Sequence, residues 1–198
     1  TPHISGAELA KSFKAHIEEY KGEILHVAEG HGVTNVMGTD GDFSVQLENG
    51  TTYRGKTVLV ATGSVRRKLD VPGADVYENK GITYCASCDG PLFSGMDVVV
   101  IGGGNAGFES AAQLLAYCKS VTLLSRSEPR ADPITVEKLS KRENFKLVIS
   151  AVPKSIQGSV FVESLTYHQT NTTEDITLPV SAVFVEIGQL PATDFVKD

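Results

Sequence analysis

What this chain lacks narrows its chemistry before any motif is read. Only three cysteines occur in 198 residues, too few for a disulfide framework, and no second ligand pair stands at zinc-site spacing. There is no dense cluster of Lys or Arg, and the formal net charge is -6. That balance argues against nucleic acid or an anionic membrane surface as the main partner. The longest purely aliphatic runs are a few residues, far short of the ~20 needed to span a bilayer. Thr1-Pro2-His3 begins with neither a charged n-region nor an apolar h-region, so no secretory signal is expected. No initiator Met opens the chain, which points to a processed, cloned or partial polypeptide.

What is present suffices for a core. Hydrophobic residues make up 41% and charged residues 21%, the balance of one ordinary globular domain or two small ones. Ser5-Gly6-Ala7-Glu8 reads as a capping box, and Leu9, Phe13, Ile17 and Tyr20 follow at helical spacing to about Gly22. Glu23–Val27 is a short strand candidate and Ala28–Gly32 a loop. Phe43, Val45 and Leu47 alternate with polar residues ahead of an Asn49-Gly50 hairpin turn. Thr57–Ala61 is nearly all apolar, as a parallel strand buried on both faces would be. It runs into Thr62-Gly63-Ser64, either a plain strand-end turn or a place where backbone approaches a ligand closely.

The second part of the chain carries the chemistry. Arg66–Gly73 looks like a linker. Asp97–Ile101 reads as a strand, Asn105 to about Cys118 as a helix and Val121–Leu124 as the next strand. Between the first strand and the helix stand Gly102, Gly103, Gly104, Asn105, Ala106 and Gly107, matching G-x-G-x-x-G in the position where it binds a dinucleotide. Asp132-Pro133 opens a further helix to about Arg142, Lys146–Ile149 is a third strand, and Ile176–Leu178 is expected to pair with a strand near Val160–Leu165. Ala182–Ile187 then meets Gly188.

The second strand ends in Ser125 rather than the acidic residue that accepts the ribose of NAD, and Arg126 and Arg130 follow. Two cations there favour the extra phosphate of NADPH. Glu128 between them dilutes that argument, Gly107 stands where NADP sites often carry Ala, and a merely solvated loop is the plainer alternative. Upstream, Cys85-Ala86-Ser87-Cys88 forms a C-x-x-C able to close a small disulfide ring, and Asp89 stands ready to move a proton for it. Such a lone pair points to cytoplasmic redox chemistry. Cys118 reads as inert packing, and the five histidines form no constellation.

Cys85–Gly90, Gly102–Gly107 with Glu109, and Val183–Gly188 with Pro191 together resemble the low-molecular-weight thioredoxin reductase family, including the flavoprotein component of alkyl hydroperoxide reductase. The resemblance implies an α/β fold, with a Rossmann-like NAD(P)-binding domain over residues 67–188. Residues 1–66 would be part of a second, FAD-binding Rossmann-like domain, and 189–198 the return into it. It implies that NADPH reduces FAD, FAD the Cys85–Cys88 disulfide, and the dithiol a thioredoxin-like protein, with a homodimer as the full-length assembly. By position Cys85 would attack the partner, Cys88 would face the flavin and Asp89 would donate the proton. Ala61, Thr62 and Gly63 would lie near the flavin, Ile187 and Gly188 near the nucleotide, with hinges at Leu69–Gly73 and Gly188–Pro191. Two alternatives stay open: an NADH-dependent reductase serving a peroxiredoxin, and a module that binds NADP(H) without transferring electrons. The first strand and glycine turn of a FAD site are missing, so weak flavin binding or none is expected of this polypeptide.

Overall fold

Along the strand Asp97–Ile101, Val98 and Val100 point into one apolar cluster and Val99 and Ile101 into another, all at most 4% exposed. A strand buried on both faces has no polar side to show, which is why its sequence is continuously apolar. In the computed structural model, which describes residues 3–22 and 24–196, that strand lies at the centre of the second of two units. The first unit comprises residues 1–62 and 193–198, the second 63–192.

In the first unit, α1 (Gly6–Glu18) forms with the expected capping box: Glu8 N–H donates to Ser5 Oγ at 3.2 Å and Ser5 N–H to Glu8 Oε2 at 2.8 Å. None of its residues is buried; Leu9, Phe13, Ile17 and Tyr20 stay exposed. β1 (Val33–Thr39), β2 (Asp42–Leu47) and β3 (Thr52–Gly55) make an antiparallel meander in that order, turning between β2 and β3 at Asn49-Gly50. Two expectations fail here. The segment 24–27 makes only an isolated bridge from Leu25 to Lys21, while Glu23 lies outside the described residues. Thr57–Ala61 is irregular, with Leu59 92% exposed. An apolar run becomes a strand only when neighbouring strands take its backbone hydrogen bonds, and among the described residues none pairs with this one.

The second unit begins with β4 (Ser64–Arg66), then α2 (Ala74–Tyr77), β5 (Ile82–Thr83) and α3 (Ala86–Asp89), the last running into a 3-10 turn. The central βαβ run is β6 (Asp97–Ile101), α4 (Asn105–Leu114), β7 (Ser120–Ser125), α5 (Pro133–Ser140) and β8 (Phe145–Ile149). β9 (Ala151–Gly158), β10 (Val162–Gln169) and β11 (Glu174–Pro179) form an antiparallel sheet in the order β11-β10-β9. β12 (Ala182–Val185) returns to the parallel sheet, whose order is β5-β12-β6-β7-β8, and β13 (Gln189–Pro191) pairs antiparallel with β4.

Helices and the second sheet cover opposite faces of the parallel sheet. Phe108, Ala111 and Leu114 of α4 share a cluster with Val98, Val100 and Phe184; Ile156, Leu165 and Tyr167 share the other with Val99, Ile101 and Val183. The fold is therefore α/β and Rossmann-like, with strand ends free for a ligand where the order switches between β6 and its neighbours. No helix among the described residues is long and apolar enough to cross a membrane.

Candidate active site

β6 ends at Ile101, and the chain must turn at once to enter α4. Gly102 makes the turn at φ 139°, which L side chains rarely adopt, and a Cβ there would lie 2.2 Å from Glu186 O. A Cβ on Gly107 would stand 1.9 Å from Gly102 O, so these two glycines let turn, helix and neighbouring strand close on one another. Gly104 differs. A Cβ there would meet nothing within 4 Å, leaving its open side to a ligand. Gly104 also begins α4 without a side-chain cap, so first-turn N–H groups remain for an anion.

A cavity of about 660 Å³ surrounds this turn within the second unit. Its walls include Gly102, Gly103, Gly104, Asn105 and Ala106; then Ser125, Arg126 and Arg130; then Ile187 and Gly188. Gly107 lies beneath the turn, buried. Two bonds stitch the glycine turn to the arginine loop: Arg130 N–H donates to Gly103 O at 2.8 Å, and Asp132 N–H to Asn105 Oδ1 at 2.8 Å. Ser125 is 2% exposed and its Oγ donates to Ser127 O at 2.6 Å, so its hydroxyl is engaged inside the loop. Arg126 and Glu128 are both exposed on the cleft wall.

Sequence reasoning left Arg67, Asp70 and Glu186 out of the site, yet all three line the cavity. Glu186 had a visible signal: it is the only charge in the apolar run Ala182–Ile187. Arg67 had none, because a basic linker reads as solvated surface; here its N–H donates to Gly188 O at 3.0 Å, continuing the β4–β13 pairing.

The cysteines lie elsewhere in the same unit, past the carboxyl end of β5, and form a Cys85–Cys88 disulfide. Cys85 caps α3, with Cys88 N–H donating to its Sγ at 3.2 Å. Thr83, buried at the end of β5, has one hydroxyl with two duties. It donates to the Asp89 carboxylate and accepts the Cys85 N–H at 3.4 Å. Cys88 is exposed and Cys85 and Asp89 are half-buried, so the pair is open to exchange. Cys118 takes no part: it is buried against the α4 side of the sheet, and burial pushes its thiol pKa up.

A pyridine nucleotide fits the cleft. The open side of Gly104 and the uncapped start of α4 suit its pyrophosphate, and Arg126 and Arg130 suit a 2′-phosphate beyond β7. Ala61, Thr62 and Gly63 are exposed on irregular backbone and none lines the cavity.

Comparison with known proteins agrees with this geometry. Residues 2–198 match the model of the pyridine nucleotide-disulphide oxidoreductase family. The chain is 37% identical over 195 residues to an alkyl hydroperoxide reductase component of Staphylococcus aureus (strain NCTC 8325 / PS 47), covering 98% of this chain and 38% of that protein. Among solved structures it is similar to thioredoxin reductase of T. acidophilum, at TM-score 0.73 and 34% identity, over 98% of this chain and 63% of that one. Thioredoxin reductase of Lactococcus lactis aligns at TM-score 0.73 and 29% identity, over 97% of this chain and 62% of that one. The family match over residues 2–198, on a chain with a glycine-turn cleft and a C-x-x-C disulfide in one unit, places the chain in the pyridine nucleotide-disulphide oxidoreductase family.

Proposed function

We propose that the protein is a thioredoxin-disulfide reductase, taking electrons from NADPH and passing them through FAD to Cys85–Cys88 and on to a thioredoxin-like protein. The observation that carries this is the formed Cys85–Cys88 disulfide in the same unit as the nucleotide cleft. The net first half balances as NADPH + H⁺ + disulfide giving NADP⁺ + dithiol. The flavin step belongs to a full-length protein; this chain spans 38% of the length of its alkyl hydroperoxide reductase relative.

In the second half the residues of this chain act alone. The Cys85 thiolate attacks a sulfur of the partner disulfide, forming a mixed disulfide and releasing the partner's other sulfur as a thiolate. Asp89, its carboxylate held by the Thr83 hydroxyl, takes the proton that Cys85 loses and hands it to that departing sulfur. Cys88 then gives up its proton and attacks Cys85 Sγ, closing the ring; the partner's second sulfur leaves as a thiolate and takes that proton, freeing the reduced partner. Whole protein mixed with NADPH and a thioredoxin-type disulfide should oxidise NADPH in step with disulfide reduction. No oxidation with any thioredoxin- or glutaredoxin-type disulfide overturns the assignment.

A second reading, NADH as donor and a peroxiredoxin-linked acceptor, is favoured by Glu128 on the same wall as the arginines. The ratio of turnover with NADH and NADPH separates the two.

A further inference from the structure

Glu186 is a carboxylate that the reading above does not use. It directly follows β12 on the cleft wall, its backbone fixed by N–H donation to Ile101 O at 2.8 Å. Its side chain is fixed as well: Ser110 Oγ, on the buried face of α4, donates to Glu186 Oε1 at 2.7 Å. Among the described residues no hydrogen bond reaches Oε2. The cleft wall thus carries a pinned, half-buried carboxyl side chain with one oxygen outside any hydrogen bond among the described residues, beside the space for a ligand that is itself an anion. That arrangement opposes binding unless the ligand brings an uncharged donor to that oxygen.

The sheet order says which part of the ligand arrives there. With the pyrophosphate over the β6–α4 turn and the adenosine ribose beyond β7, the other half of a dinucleotide extends to the opposite side of β6. That side is β12. We infer that Glu186 is a nucleotide-positioning residue, accepting through Oε2 a hydrogen bond from a ribose hydroxyl of the nicotinamide half. The inference rests on the reading of the cleft as a dinucleotide site. It gives the cleft a ribose acceptor at the end of β12, whereas the usual acidic position at the end of β7 holds Ser125 with its hydroxyl engaged elsewhere.

The test is binding by calorimetry to this chain, wild type and Glu186→Gln, with NADPH and with adenosine 2′,5′-bisphosphate, which lacks the nicotinamide half. The amide keeps an oxygen for Ser110 and turns an N–H₂ toward the ribose, so the fold is retained, as a thermal midpoint verifies. NADPH should bind about tenfold more weakly to the variant, the scale of a hydrogen bond to a charged group, and the bisphosphate should bind unchanged. The 3-acetylpyridine analogue of NADPH, which keeps the ribose but lacks the carboxamide N–H₂, should suffer the same tenfold loss. Equal NADPH affinity in the two proteins overturns the inference, as does a parallel loss for both ligands. A penalty that vanishes with the analogue overturns it too, by making the carboxamide the donor. If the wild type binds neither ligand, the dinucleotide assignment fails first and takes the inference with it.

Discussion

The backbone N–H of Cys88 donates to Cys85 Sγ across 3.2 Å, so the first sulfur of the pair caps the helical turn that carries the second. A donor held on one sulfur stabilises its thiolate once the disulfide opens. Cys88 has no such donor among the described residues, and its exposure alone does not make it the stronger nucleophile.

Alkylation therefore should separate the two. At neutral pH Cys85 in the Cys88→Ser variant should react roughly threefold or more faster than Cys88 in the Cys85→Ser variant, because the donated N–H leaves more of it as thiolate. Faster labelling of Cys88 would reverse the assigned order of attack.

The glycines of the nucleotide turn should fail in different ways. Gly107→Ala places a Cβ 1.9 Å from Gly102 O, so backbone must shift; a loss of more than about 2 kcal/mol is expected in denaturant titration. Gly104→Ala meets no protein atom within 4 Å and should leave stability nearly unchanged while weakening NADPH binding. Equal loss of stability in both would contradict the assignment of the open side of Gly104 to ligand.

Arg126 stands exposed on the cleft wall beyond β7. Arg126→Glu should weaken NADPH by about tenfold or more, as loss of a charged hydrogen bond does, and leave NADH nearly unaffected. Equal penalties on both cofactors would remove the 2′-phosphate role.

Asp97, at the start of β6, accepts from Ser120 Oγ at 2.6 Å and from Lys119 Nζ at 3.0 Å. These bonds, the serine's first, hold its carboxyl below the usual aspartate range. Because the folded pKa is the lower one, the contribution is present above the unfolded value, about pH 4, and is lost as pH falls through the folded value. Thermal midpoints of wild type and Asp97→Asn should therefore differ at neutral pH, begin to converge below about pH 4 and meet once pH has fallen through the folded value. The gap should be small, no more than about 1 kcal/mol, because the pair is partly exposed.

The nucleotide half of the fold was legible in sequence for a physical reason. Strands covered on both faces leave continuous apolar runs such as Val98–Ile101, and a helix opening directly after a strand demands the glycines that mark it. Even there α4 stops at Leu114, short of the expected Cys118, which lies in the turn before β7. β9 escaped notice because Pro153 interrupts its alternation, tolerable only because β9 is an edge strand. Thr57–Ala61 misled in the other direction, since composition reports what a strand is made of and not whether a neighbour exists to pair with it. The site was half visible: its glycines, arginines and cysteines announce themselves by spacing. Arg67 and Glu186 reach the cleft only through the β4–β13 ribbon and the end of β12, which no local pattern encodes.

The central claim is that electrons from the pyridine nucleotide arrive at Cys85 and Cys88. Its most direct measurement is anaerobic addition of one equivalent of NADPH to the whole, flavin-loaded protein, followed by thiol trapping and peptide mass analysis. Two new thiols should appear per NADPH oxidised, located at Cys85 and Cys88, with Cys118 unlabelled until the protein unfolds. Oxidation of NADPH with Cys85 and Cys88 still joined would contradict it.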